Sequence, residues 1–172
     1  MSRSILQGKQ LLAVDDEPDV LDIVEEELAE YKVSLDKASS YVEAIQKLAS
    51  FSYDIVILDI MGVHGFELLQ YSVSKNLPVV MLTAHALSPE SLQKSIDLGA
   101  RAYLPKDQLG QTAAFLEDVL TLKYEAAWKS ILKKLSGSFS KRFGPEWRKT
   151  EKEFWEKFEM ARDLKESAII ES

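Results

Sequence analysis

Short apolar runs that stop on acidic or hydroxyl residues recur through the first 110 positions, with helix-period stripes between them. Leu11-Leu12-Ala13-Val14 ends at Asp15-Asp16 and predicts a buried strand meeting an acidic edge. Pro18 then suits a first helical turn, and Val20, Leu21, Ile23, Val24 and Leu28 make one apolar face. Lys32 to Lys37 alternates around Val33 and Leu35 as a short strand, and Ser40 with Glu43 has the spacing of a helix cap. Asp54-Ile55-Val56-Ile57-Leu58-Asp59 predicts a second buried strand that delivers an acid, and Pro78-Val79-Val80-Met81-Leu82-Thr83 one that delivers a hydroxyl. Ser88-Pro89 reads as a cap and first turn, and Gly99 as the stop of the same helix. Arg101-Ala102-Tyr103-Leu104 is the last strand, followed by Pro105 and Lys106.

Five apolar strands separated by helical pattern predict an α/β fold, a doubly wound five-stranded parallel sheet with helices on both faces. Ligands of such sheets sit at the carboxyl ends of the strands, near the switch point in strand order. That rule gathers Asp15, Asp16, Asp59, Thr83 and Lys106, from four different strands, into one place.

Composition narrows the chemistry. The chain has 172 residues, 46% of them hydrophobic, enough for a core of one domain plus a smaller part. Cysteine is absent, so disulfides, thiolate catalysis and Cys-ligated zinc are excluded, and with only His64 and His85 a His-rich metal centre is not expected. The apolar runs are far too short to span a bilayer, and a cytoplasmic protein is expected. The net charge of −7 is uneven: residues 1–110 carry 9 basic and 17 acidic side chains, residues 111–172 carry 12 and 11. An acidic first part argues against nucleic-acid binding there and fits carboxylates gathered around a cation.

Three carboxylates brought together repel, by about 4 kcal/mol for a pair of unit charges ~4 Å apart at an effective dielectric near 20. A hard cation offsets this, and oxygen ligands with retained waters suit Mg²⁺. Adding the amine of Lys106 and the hydroxyl of Thr83 around one aspartate makes a phosphoryl site, in which the carboxylate can act as nucleophile.

At these residues the chain resembles a response-regulator receiver domain, the phosphoacceptor module of two-component signalling. The resemblance spans about residues 8–122 and rests on Val14-Asp15-Asp16-Glu17-Pro18, Ile57-Leu58-Asp59-Ile60-Met61, Leu82-Thr83-Ala84 and Tyr103-Leu104-Pro105-Lys106. It implies a flavodoxin-like strand order 2-1-3-4-5, with Asp59 as the phosphorylated residue. It also implies Mg²⁺ held by Asp16, Asp59 and the main-chain carbonyl of Met61, with Asp15 acting through metal-bound water. Lys106 would pair with the phosphoryl group, Thr83 and Tyr103 would form the switch, and Ala84 would leave room for the phosphoryl group. The implied partner is a histidine kinase or a phosphotransfer protein. Two departures stand out: Asp59 to Gly65 is only six steps, with Gly62 where receivers usually carry proline, and the usual Lys-Pro order is replaced by Pro105-Lys106. Met61 is a candidate shield of an acyl phosphate from water. His64 and His85 are weighed as tuners of that water against ordinary exposed loop histidines.

From Gln111 to Leu135 there is no Gly or Pro, and Leu116, Leu120, Tyr124, Trp128, Ile131 and Leu135 step by three or four. One helix of about 37 Å is expected, its end projecting from the sheet and stopping at Gly137. Residues 123–172 would then form a helical extension with a second helix at about 145–166 carrying Trp147, Phe154, Trp155 and Phe158, and a frayed end over 167–172. Three uses stay open for it: packing back on the receiver, forming a homodimer or docking a partner, and binding DNA through Lys133, Lys134, Lys141, Arg142, Arg148 and Lys149. Interleaved Glu146, Glu151, Glu153 and Glu156 make nucleic acid the weakest of the three.

The expected function is a phosphorylation-driven signalling switch that catalyses only its own phosphoryl transfer and dephosphorylation. A DNA-binding transcriptional regulator is the first alternative. An aspartate-nucleophile phosphatase is disfavoured because its general acid would fall at Met61, and a degenerate receiver is disfavoured by the intact acidic set.

Overall fold

The computed structural model describes residues 4–84, 88–143, 152 and 156. Its strands are β1 (Gln10–Val14), β2 (Ser34–Ala38), β3 (Ile55–Asp59), β4 (Val79–Thr83) and β5 (Ala102–Pro105), and they form one parallel sheet in the order β2-β1-β3-β4-β5. This is the expected doubly wound sheet, with its switch point between β1 and β3. The three central strands and β5 are buried almost throughout, which is why they read as continuous apolar runs, whereas edge strand β2 alternates with polar residues. Pro105, which has no N–H to give a neighbour, closes edge strand β5, where that loss is tolerated.

The helices are α1 (Pro18–Leu28), α2 (Tyr41–Ser50), α3 (Gly65–Ser74), α4 (Pro89–Asp97), α5 (Thr112–Thr121) and α6 (Tyr124–Phe143), with 3-10 turns at Ala29–Tyr31 and Lys106–Gln111. Pro18 opens α1, whose Val20, Leu21, Val24 and Leu28 are buried, while Ile23 faces outward. Ser40 caps α2 by accepting from the Glu43 N–H at 3.2 Å. Ser88 and Ser91 form a reciprocal capping box at α4, and Gly99, at φ +99°, ends its C-terminal turn.

The chain after α5 corrects the expectation of one long helix. It leaves helical geometry at Leu122 (φ −103°, ψ 150°) and restarts at Tyr124. The break lets α6 fold back, so that Trp128, Ile131, Leu132 and Leu135 join the same core as β1 to β5. The indole N–H of Trp128 donates to the Ala100 carbonyl at 3.0 Å, and the Tyr124 hydroxyl donates to the Ile96 carbonyl at 3.2 Å. Asp118 of α5 accepts from Ser130 and Lys134 of α6 at 2.8 and 2.7 Å. Of the three uses left open, packing on its own receiver is the one α6 takes. Nor does Gly137 stop this helix, which runs on to Phe143. The expected second helix at about 145–166 lies outside the described residues apart from Lys152 and Glu156. No helix among the described residues is long and apolar enough to cross a membrane.

Candidate functional site

Register carries the site residues together. Val14 pairs with Leu58, Asp59 with Leu82 and Thr83 with Pro105, so Asp15, Asp59, Thr83 and Lys106 all fall at one carboxyl edge of the sheet. Between β3 and α3 the short loop turns at Gly62 (φ +86°) and passes close over Asp16. A Cβ on Gly62 would lie 2.6 Å from the Asp16 Cγ, so only glycine permits this approach. Gly65 is pinned in the same way, since its Cβ would meet the Ile60 Cα at 2.7 Å. The result is a cleft of about 100 Å³ lined by Asp16, Glu17, Asp59, Met61, Gly62, Thr83, Ala84 and Lys106 together with Ile60.

Lys106 is the electrostatic centre. Its Nζ lies 2.8 Å from Asp15 Oδ2, 3.3 Å from Asp59 Oδ1 and 3.4 Å from Glu17 Oε1. Asp15 is fully buried, and its other oxygen accepts from the Glu17 N–H at 2.9 Å. Burial raises the Asp15 pKa above its ordinary value, with Lys106 working against it. Burial also pushes Asp59 up to about 7, and the neighbouring Asp15 charge adds to this while Lys106 opposes it. Burial acts to lower the Lys106 pKa, but its bond to Asp15 and the charge of Asp59 outweigh it and the net shift is upward.

The buried Thr83 hydroxyl borders the cleft, and its polar neighbour on the inner side is the Tyr103 hydroxyl. Tyr103 is fully buried behind it, its hydroxyl 2.7 Å from Ser91 Oγ, and burial raises its pKa. Met61 lines the cleft while more than half exposed. His64 turns away from the cleft: its ring meets the Tyr41 ring edge-on at 5.5 Å, and its backbone takes the left-handed conformation that starts α3. His85 lies outside the described residues. Sequence reasoning missed Glu17 as a partner of Lys106 and Ser91 as the partner of Tyr103. The Asp-Asp-Glu run hinted at the first, while the second needed the fold.

A metal fits the oxygen chemistry of this edge. Carboxylate oxygens of Asp15, Asp16 and Glu17 come within 4.8 Å of one another, and Asp59 lines the cleft beside Asp16 and Glu17. Such an all-oxygen set selects a hard divalent ion.

An open parallel sheet with an acidic cleft and one lysine at its carboxyl edge defines a class of α/β signalling module. The chain belongs to the response regulator receiver domain family, whose model matches residues 11–114. It is 32% identical over 142 residues to the two-component response regulator ARR18 of Arabidopsis thaliana, covering 80% of this chain and 20% of that protein. It is 34% identical over 101 residues to the regulatory protein VanRB of Enterococcus faecalis, covering 56% of this chain and 45% of that one. Among solved structures, a putative response regulator from Chloroflexus aurantiacus aligns with a TM-score of 0.59 at 27% identity, over 67% of this chain and all of the other. The chain thus spans less than half the length of these two curated relatives. As a receiver domain it is a phosphorylation-dependent signalling module.

Proposed function

We propose that Asp59 is the phosphoacceptor of a Mg²⁺-dependent transfer from a histidine kinase or a phosphotransfer protein, and that the chain acts as a conformational switch rather than as an enzyme on external substrates. The observation that carries this reading is Lys106 bridging Asp15 and Asp59 in a cleft that the buried Thr83 also lines. A fixed cation and a hydroxyl lining the same cleft as one carboxylate make a ready acceptor for added oxygens.

In the reaction an Asp59 oxygen attacks phosphorus, the bond from phosphorus to the donor's imidazole nitrogen breaks, and the imidazole leaves with that electron pair. Asp16, Asp59 and the Met61 main-chain carbonyl are the residues that would hold the ion, with Asp15 acting through its water. Mg²⁺, when bound, supplies charge neutralisation at the phosphoryl oxygens. Lys106 meets the negative charge gained by Asp59, and Thr83 donates its hydroxyl to a phosphoryl oxygen. Thr83, Ala84 and Tyr103 form the switch, Ala84 by being small where the group arrives. Met61, exposed at the rim, screens the acyl phosphate from water.

Intact mass after incubation with Mg²⁺ and acetyl phosphate tests the reading. An adduct of one phosphoryl group on the wild type and none on Asp59→Asn is expected. An equal adduct on both would overturn it. The same samples, followed by sedimentation, show whether association accompanies phosphorylation.

A further inference from the structure

α4 joins the Tyr103 strand to α6 through hydrogen bonds at both of its ends. Among its described side chains, Leu92 and Ile96 are the buried apolar ones, against Ala113, Phe115, Leu116 and Val119 in α5. Hydrogen bonds at its two ends add to this modest seat. At the first turn, Ser91 Oγ accepts from the Ser88 N–H at 3.2 Å, donates to the Ser88 carbonyl at 3.0 Å and lies 2.7 Å from the Tyr103 hydroxyl. Either hydroxyl can give the proton of this short bond, and through it the Tyr103 ring is latched to the capping box of α4. Ser95 Oγ reinforces the turn by donating to the Ser91 carbonyl at 2.8 Å.

At the other end, Tyr124 of α6 holds the Ile96 carbonyl, and Trp128 holds the Ala100 carbonyl just after the helix. The Arg101 guanidinium sits 5.8 Å from the Tyr124 ring centre. Both α6 side chains hold backbone carbonyls at or just beyond the end of α4, so a shift of α4 bears on these bonds. α4 is nine residues long, about 14 Å, short enough to tilt as a rigid rod. α6 also lies beyond residues 11–114, the part matched by the family model.

We propose that Ser91 is a positioning residue of the switch, and that α4 carries the state of the Asp59 site from Tyr103 and Ser91 to Tyr124 and Trp128 of α6. This rests on Asp59 being the phosphoacceptor. When Thr83 turns to a phosphoryl oxygen, the space behind it changes for the Tyr103 ring. Ser91 converts that change into a movement of the α4 N-terminus, and the buried indole of Trp128 registers it at the far end.

The test uses the full chain with Trp147→Phe and Trp155→Phe, so that Trp128 is the only indole. Emission is followed while acetyl phosphate and Mg²⁺ are added, and each change is divided by the adduct fraction read from intact mass. A red shift and loss of intensity that grow with the adduct are expected. Ser91→Ala and Tyr103→Phe should each abolish most of the response per adduct, and Ser91→Thr should restore it. Tyr103→Phe leaves the capping box whole, so it separates the latch from helix stability, and Tyr124→Phe should weaken the response from the other end. A full adduct with silent Trp128, or an unaltered response in both Ser91→Ala and Tyr103→Phe, would overturn the inference alone. Absence of any adduct on Asp59 would overturn the phosphoacceptor reading, and this inference with it.

Discussion

The Gly62 backbone lies against the Asp16 carboxylate, closely enough that a methyl group on Gly62 would sit 2.6 Å from the acid's Cγ. Gly62→Ala should therefore displace Asp16 and strain a left-handed backbone at once. We expect Mg²⁺ affinity to fall by about 10-fold or more, as when the supports of a metal ligand are lost, with stability reduced by about 1–2 kcal/mol. Calorimetric Mg²⁺ titration and urea unfolding check the two effects separately.

Lys106 meets three carboxylates, two of them buried. Lys106→Met leaves Asp15 buried with no cation, and a broken buried pair costs about 3 kcal/mol or more. The loss should be largest near pH 8 and shrink toward pH 5, because the folded state can then neutralise Asp15 and Asp59 by taking up protons. Urea midpoints at the two pH values would show it, and an equal loss at both would argue against a charge origin.

Asp59 titrates near 7 in the fold against an ordinary value of 3.8. Between those values the folded state holds a proton that the unfolded chain has released, so stability falls as pH rises through the window. Three pH units would cap the effect at about 4 kcal/mol, and water entry and counter-ions reduce it. Asp59→Asn should thus be close to neutral near pH 4 and more stable than wild type by about 2 kcal/mol near pH 8 without Mg²⁺. Added Mg²⁺ should narrow the gap by stabilising the wild type. Thermal melts across pH, with and without the ion, measure both.

Trp128 is fully buried and hydrogen-bonded to Ala100. Trp128→Ala should cost about 3–5 kcal/mol through the cavity it leaves, and Trp128→Phe about 1 kcal/mol or more for the lost bond and smaller ring. A chain ending at residue 122 would lose Trp128, Ile131, Leu132 and Leu135 together and expose the surface they cover. Guanidinium unfolding of the three proteins should show Trp128→Phe least perturbed, Trp128→Ala more so, and the shortened chain least stable.

The strands were legible because each is a run of buried residues cut off by the polar side chain it delivers, as Val14 is by Asp15 and Leu58 by Asp59. Their gathering at one edge followed from the parallel sheet alone. The break at Leu122 was not legible. The stripe Leu116, Tyr124, Trp128, Ile131, Leu135 keeps one helical period across it, and no Gly or Pro marks it. What breaks the helix is tertiary: Tyr124 and Trp128 reach the carbonyls of Ile96 and Ala100 only if α6 turns back. Gly137 misled in the opposite direction, since a glycine inside a helix costs only about 1 kcal/mol and α6 runs through it. The Tyr103 to Ser91 bond was hidden for a similar reason, because it joins a strand to the cap of the preceding helix and has no spacing to betray it.

The placement of α6 beside β5 bears on how the molecule keeps to itself. An open parallel sheet has two flanks on which a stranger's strand could grow. One flank, β2, carries Asp36 and Lys37, with Tyr53 donating to Asp36 at 2.7 Å and Lys37 paired to Asp22 and Glu25. The other ends in a proline and is attended by α6. Charge guards one border and a helix the other, so the sheet stops at five strands and resists recruiting a sixth from a neighbouring molecule.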